Sequence, residues 1–78
     1  METFNDVISS DKLVLVDFFA TWCQPCKMMH PILEQLKEAL GDSIRIIKID
    51  VDKQSVPAGQ YKIQSVPTLM LFRNGQSL

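Results

Sequence analysis

Only two cysteines and one histidine occur among the 78 residues, and that scarcity sets the first limits. A structural zinc site usually wants four Cys or His ligands. Beyond Cys23 and Cys26 the chain offers only His30, so a second chain would have to complete such a site, and no metal is expected. There is no apolar stretch approaching the ~18 residues of a transmembrane helix. Nor is there an excess of charge: eight basic and nine acidic residues are interspersed, for a net charge of -1. That balance gives no reason to expect nucleic acid or a membrane surface as a partner. The start of the chain, Met1-Glu2-Thr3-Phe4-Asn5-Asp6, is acidic and lacks a basic segment followed by an apolar one, so it does not read as a secretory signal. A cytoplasmic, reducing location is therefore the default, and there a lone cysteine pair is more often catalytic than structural. No linker, repeat or low-complexity segment divides the chain, which is long enough for one small domain, 1–78.

What is present centres on Trp22-Cys23-Gln24-Pro25-Cys26-Lys27. An apolar run, Leu13-Val14-Leu15-Val16-Asp17-Phe18-Phe19-Ala20, precedes it and a helical pattern follows. A helix N-terminus offers unpaired N–H groups and a partial positive charge, which favour thiolate over thiol. Thiolate is the form that attacks disulfides. The competing readings are half a zinc site and an inert staple; a staple closing so short a loop would constrain the unfolded chain little. A strand delivering Cys-x-x-Cys to the start of a helix points instead to thiol–disulfide exchange.

The elements around the pair follow from periodicity. Residues 3–10 predict a short helix anchored by Phe4, Val7 and Ile8, and 13–19 a central strand apolar on both faces. Residues 24–40 predict a helix with Met29, Ile32, Leu33, Leu36 and Leu40 on one side. Pro25 suits its first turn, Gly41 its end, and Pro31 inside it should kink it. Residues 44–51 predict a second strand parallel to the first, because a helix crosses between them. Ser55-Val56-Pro57 predicts the cap and first turn of a short helix reaching Tyr61. Residues 68–72 predict a third strand. Asn74-Gly75 signals a tight hairpin turn with only Gln76-Ser77-Leu78 beyond it, too few for the returning strand.

Two segments resemble the thioredoxin family. One runs from Val14 through Trp22-Cys23-Gln24-Pro25-Cys26-Lys27-Met28; the other is Ile63-Gln64-Ser65-Val66-Pro67-Thr68-Leu69-Met70-Leu71-Phe72-Arg73-Asn74-Gly75. The match is in register from about Phe4 to the last residue. It implies an α/β thioredoxin-like fold, here truncated to a three-stranded mixed core of two parallel strands and one antiparallel, with flanking helices. Three departures stand out: Gln24 replaces the usual Gly, the N-terminal strand is absent, and the last strand and C-terminal helix are missing.

The position of Cys23 at the helix start makes it the attacking nucleophile, with Cys26 resolving the mixed disulfide. Helical neighbours three apart hold their Cβ atoms about 5–6 Å apart, whereas a relaxed disulfide wants roughly 3.5–4.5 Å, so the oxidised pair should be readily reducible. Asp17 is expensive to bury ionised; an edge position facing water is the alternative. The resemblance implies that Asp17 lies beneath the cysteines and helps deprotonate Cys26, and that Lys48 lies near the acid rather than being a solvated edge lysine. It also implies a cis Val66–Pro67 bond, with the Val66 backbone beside Cys23 for pairing with substrate; proline at a strand start would otherwise be read as trans. Trp22 offers an apolar face for partner contact or a core side chain. Gln24 and Pro25 flank the substrate path. His30 reads as a helix-surface residue, Met28 and Met29 as packing. The implied function is protein disulfide reduction with no cofactor of its own, recharged by a thioredoxin reductase-like flavoprotein. A disulfide oxidase or isomerase, and an inactive fragment that folds only as an assembly, are the alternatives. Because the missing helix would bare part of the sheet at Leu69, Met70, Leu71 and Phe72, a homodimer or larger assembly is expected.

Overall fold

The computed structural model describes residues 3–78; Met1 and Glu2, the start of the expected domain, lie outside the described residues. Thr3 opens the first helix, α1 (Phe4–Ile8), with a capping box. Its Oγ1 accepts from the Asp6 N–H at 3.1 Å, and the Asp6 carboxylate accepts from the Thr3 N–H at 3.1 Å. The apolar run forms β1 (Leu13–Phe19). It is followed by α2 (Gln24–Leu40), which continues through Pro31, a single 3-10 turn at Gly41–Ser43, and β2 (Ile44–Asp50). Then come α3 (Ser55–Gln60) and β3 (Thr68–Arg73).

Two expectations change here. Ser55 is the first helical residue, preceded by Gln54 without a side-chain cap, so it does not cap α3. A fourth strand also exists, β4 (Gln76–Ser77). Asn74 and Gly75 take φ of 55° and 79°, the left-handed pair that a tight two-residue hairpin demands. The chain beyond them suffices to pair Arg73 with Gln76 and Phe72 with Ser77. The sheet therefore has four strands in the order β2-β1-β3-β4. β1 runs parallel to β2, with Asp17 opposite Lys48, and antiparallel to β3, with Asp17 opposite Leu69.

Side-chain parity divides the sheet into two faces. Val14, Val16 and Phe18 of β1 join Ile49, Phe72, Val7 and Ile8 in the main core. There Phe4, Tyr61 and Phe72 stack edge-on or tilted, with ring centroids 5.3–6.2 Å apart. Phe72 is fully buried there. It belongs to the covered face, which corrects the expectation that it would lack packing. The opposite face carries Leu15, Asp17 and Phe19, and α2 lies over its β2 side. Lys37 of α2 ties the two together, donating to the carbonyls of Gly41 at 2.8 Å and Ile44 at 2.7 Å. Of the expected apolar stripe, Leu33 is buried and Met29 and Leu36 half-buried, while Ile32 on its flank and Leu40 at its end are exposed. Toward β3 the cover thins: Leu71 is half-buried and Leu69 is 41% exposed. No helix of the described residues is long and apolar enough to cross a membrane.

Candidate functional site

The site forms where β1 ends and α2 begins. A turn closes as the Cys23 N–H donates to the Ala20 carbonyl at 3.1 Å, bringing Cys23 to the N-cap position with extended backbone. Its Sγ accepts from the Cys26 N–H at 3.2 Å. One of the helix's otherwise unpaired donors is thus aimed at sulfur. Pro25 stands in the first turn, where a missing N–H costs nothing. Cys23 and Cys26 are joined as a disulfide, their Cα atoms 5.3 Å apart. Exposure does not separate the two, at 4% and 3%; position does, because only Cys23 precedes the helix and receives its amide.

Ala20 is buried with the disulfide, and Phe19, Val51 and Val66 pack against the cluster the three residues form. The Val66–Pro67 peptide is cis, and both residues are half-buried. Gln24 and Pro25 are exposed at the surface. Trp22 is 70% exposed, which removes it from the core. Its indole does not swing freely, since Nε1 donates to Asp52 Oδ2 at 2.9 Å. Asp52 is itself placed by a turn in which Asp50 Oδ1 accepts from the N–H groups of Asp52 at 2.9 Å and Lys53 at 3.3 Å. This tether was not anticipated from the sequence. Its only sequence signal is the Asp50-Val51-Asp52 run closing β2, which says nothing of a tryptophan thirty residues earlier. Between Trp22, Val51, Ile63, Gln64, Ser65 and Val66 lies a groove of about 90 Å³. On the other side of the pair, a cavity of about 190 Å³ is lined by Phe19, Ala20, Thr21, Cys26, Lys27 and His30.

Asp17 is completely buried, and neither carboxylate oxygen has a hydrogen-bond partner among the described residues. Burial raises its carboxyl above the ordinary value, while the charges of Lys48 and His30 pull it back. The edge-facing alternative for Asp17 is thereby removed. Lys48 faces it in register from β2, but its ammonium is at the surface with another partner: Nζ lies 2.9 Å from His30 Nδ1 and 3.2 Å from Nε2. The fold thus gathers Asp17, Lys48, Cys26 and His30 on one side of the sheet, and Trp22 and Val66 at the groove, with the cis Pro67 next in the chain.

A segment with this geometry has known relatives. The family model for thioredoxin matches residues 1–78. The chain belongs to the thioredoxin family. It is 60% identical to a thioredoxin-like protein of Synechocystis sp., covering 86% of this chain and 64% of that protein. The thioredoxin of Bacillus subtilis is 47% identical, with 87% of this chain and 65% of that one matched. Chloroplastic thioredoxin Y of Oryza sativa is also 47% identical, over 95% of this chain and 45% of the relative. The chain therefore spans less than two thirds of the length of these three relatives. Among solved structures, Malassezia sympodialis thioredoxin superposes with a TM-score of 0.90 at 43% identity, covering 96% of this chain and 68% of the other. Oxidised mitochondrial thioredoxin 3 of Saccharomyces cerevisiae gives 0.89 at 37% identity, covering 96% and 70%. The fold is accordingly thioredoxin-like α/β.

Proposed function

We propose that the chain is a thiol–disulfide oxidoreductase that reduces protein disulfides. The observation that carries this reading is the Cys23–Cys26 pair at the head of α2, with a helix amide on the Cys23 sulfur. In the reduced chain that amide and the helix dipole stabilise a Cys23 thiolate. The thiolate attacks one sulfur of a substrate disulfide, forming a mixed disulfide and releasing the other substrate sulfur as thiolate. Cys26, deprotonated with Asp17 as proton acceptor, then attacks Cys23 Sγ; the Cys23–Cys26 bond forms and the second substrate thiolate leaves. The substrate gains two electrons and the dithiol loses them. Lys48 moderates the charge on Asp17. Substrate lies in extended form along the groove beside Trp22 and the Val66 backbone before Pro67, with Gln24 and Pro25 at its edge. A thioredoxin reductase-like flavoprotein returns the pair to the dithiol, which requires a reducing compartment such as a cytoplasm.

Family membership favours this direction over the oxidase and isomerase directions that Gln24 leaves open. The reading extends to assembly: two copies meeting over the thinly covered side of the sheet would bury Leu69 and Leu71, giving a homodimer. The function is tested by turnover with dithiothreitol as electron source and insulin as the protein disulfide. The chain should accelerate reduction well above the dithiothreitol background, and Cys23→Ser should return the rate to that background. A wild-type chain no faster than background would refute the reading.

A further inference from the structure

His30 is exposed, and on its helix alone it looks like one more polar surface residue. Its surroundings say otherwise. It stands four residues after Cys26, so the two share a helix face, and both line the cavity of about 190 Å³ at the head of α2. Its ring lies against Phe19, with centroids 6.4 Å apart. Both ring nitrogens are within 3.2 Å of the Lys48 ammonium. Lys48 in turn is the register partner of Asp17 on the adjacent strand, and the Asp17 oxygens are unpartnered. The ammonium paired in register with the buried carboxylate is thus held by an imidazole.

We propose that His30 is a positioning residue for the resolving step, holding the Lys48 ammonium while its ring is neutral and releasing it when the ring is protonated. The inference rests on the exchange chemistry proposed above. A neutral imidazole has one free nitrogen lone pair and accepts a hydrogen bond from Lys48. An imidazolium has none, and its charge repels the ammonium. Lys48, the register partner of Asp17 and close enough for its charge to act on that carboxyl, can then turn toward it. Added positive charge beside Asp17 favours its ionised form and weakens it as acceptor for the Cys26 proton. Histidine is the side chain that ordinarily makes this change between about pH 5 and 8, so the device couples the thiol step to mild acidity.

The charged and titratable groups around the ring are few. β2 contributes Lys48 and β1 contributes Asp17. From α2 come Cys26 and Lys27, which line the same cavity, and Glu34 one turn on, which lines the neighbouring depression with Lys37 and Lys48. Glu34 sits four residues from His30, the spacing at which a carboxylate supports the protonated ring.

The test follows the Asp17 side-chain carboxyl by carbon NMR against pH in the reduced 78-residue chain, in wild type, His30→Gln and Lys27→Gln. The wild-type curve should carry a second inflection where His30 titrates, as coupled groups do. His30→Gln should lose that inflection, and Lys27→Gln, which removes a cavity charge without touching Lys48, should keep it. Superimposable wild-type and His30→Gln curves would overturn the proposal, as would loss of the inflection in Lys27→Gln. Because the readout needs no turnover, it fails or succeeds independently of the insulin assay. In that assay the resolving rate of His30→Gln should lose the same inflection in its pH profile.

Discussion

At Asp17 a carboxylate has been taken out of water and given no hydrogen bond in return. Its folded-state carboxyl is raised above 3.8 by burial, so the folded chain binds the proton more tightly than the unfolded chain does. Below that value both states are protonated and burial of the charge costs nothing. As pH rises through the window between the unfolded and folded values, stability falls, and the full penalty stands above the folded value. Asp17→Asn, which carries no charge at any pH, should therefore be more stable than wild type by on the order of 2 kcal/mol at about pH 8, with the gain vanishing at about pH 3. Urea unfolding at the two pH values measures this; an equal gain at both would show that charge burial is not the cause. The same variant should turn over more slowly, having lost the proposed proton acceptor. Asp17 was legible in the sequence because a lone acid in an apolar strand violates the pattern around it. The cysteines were legible because spacing and context coincide. The His30–Lys48 and Trp22–Asp52 contacts were not, because each joins residues whose proximity is created by strand pairing and a turn rather than by local periodicity.

At the scale of elements, β1 was read with its exact bounds, as was α2, because each is long enough for its apolar period to declare itself. The parallel pairing of β1 with β2 followed from the helix between them. What escaped was short. β4 has two residues, below the length at which alternation can be seen, and it exists because its turn and its neighbours fix it. The Asn74 N–H donates to the Ser10 carbonyl and the Gly75 N–H to the Ile8 carbonyl, each at 2.9 Å, and the Leu78 N–H donates to Leu71 at 2.8 Å. The hairpin is thus fastened to the end of α1. Gly75 holds φ of 79° there, and an added Cβ would meet Ser9 Oγ at an ordinary 3.6 Å. Crowding is not the issue; backbone conformation is. Gly75→Ala should destabilise the fold by about 1 kcal/mol through the left-handed backbone alone, whereas Asn74→Gly should be close to neutral or better. Thermal unfolding of the two variants checks this, and an unaffected Gly75→Ala would mean that the turn can relax to another form at no cost.

For the whole molecule, one face of the sheet is sealed and the other only partly so. The sealed face holds the aromatic cluster and every fully buried large apolar side chain; the other holds Asp17, the cysteine pair and α2. Sequence parity assigned residues to these faces correctly for β1, but treating 69–72 as one exposed block ignored that successive strand residues point opposite ways, so Met70, packed against the main core, and Phe72, inside it, were misplaced. With Leu69 exposed and Leu71 half covered, the proposed homodimer should sediment as a dimer at micromolar concentration, and Leu69→Lys should return it to a monomer. A wild-type monomer that unfolds cooperatively would contradict the assembly and leave the exchange chemistry untouched.

That chemistry is tested most directly by trapping. Incubated with a protein disulfide under non-reducing conditions, reduced Cys26→Ser should accumulate as a covalent mixed disulfide through Cys23, visible by intact mass, because the proposed resolving thiol is gone. Cys23→Ser should accumulate none. A stable adduct on Cys26 in the Cys23→Ser chain, with none in Cys26→Ser, would reverse the roles of the two sulfurs and contradict the account built on the amide at Cys23.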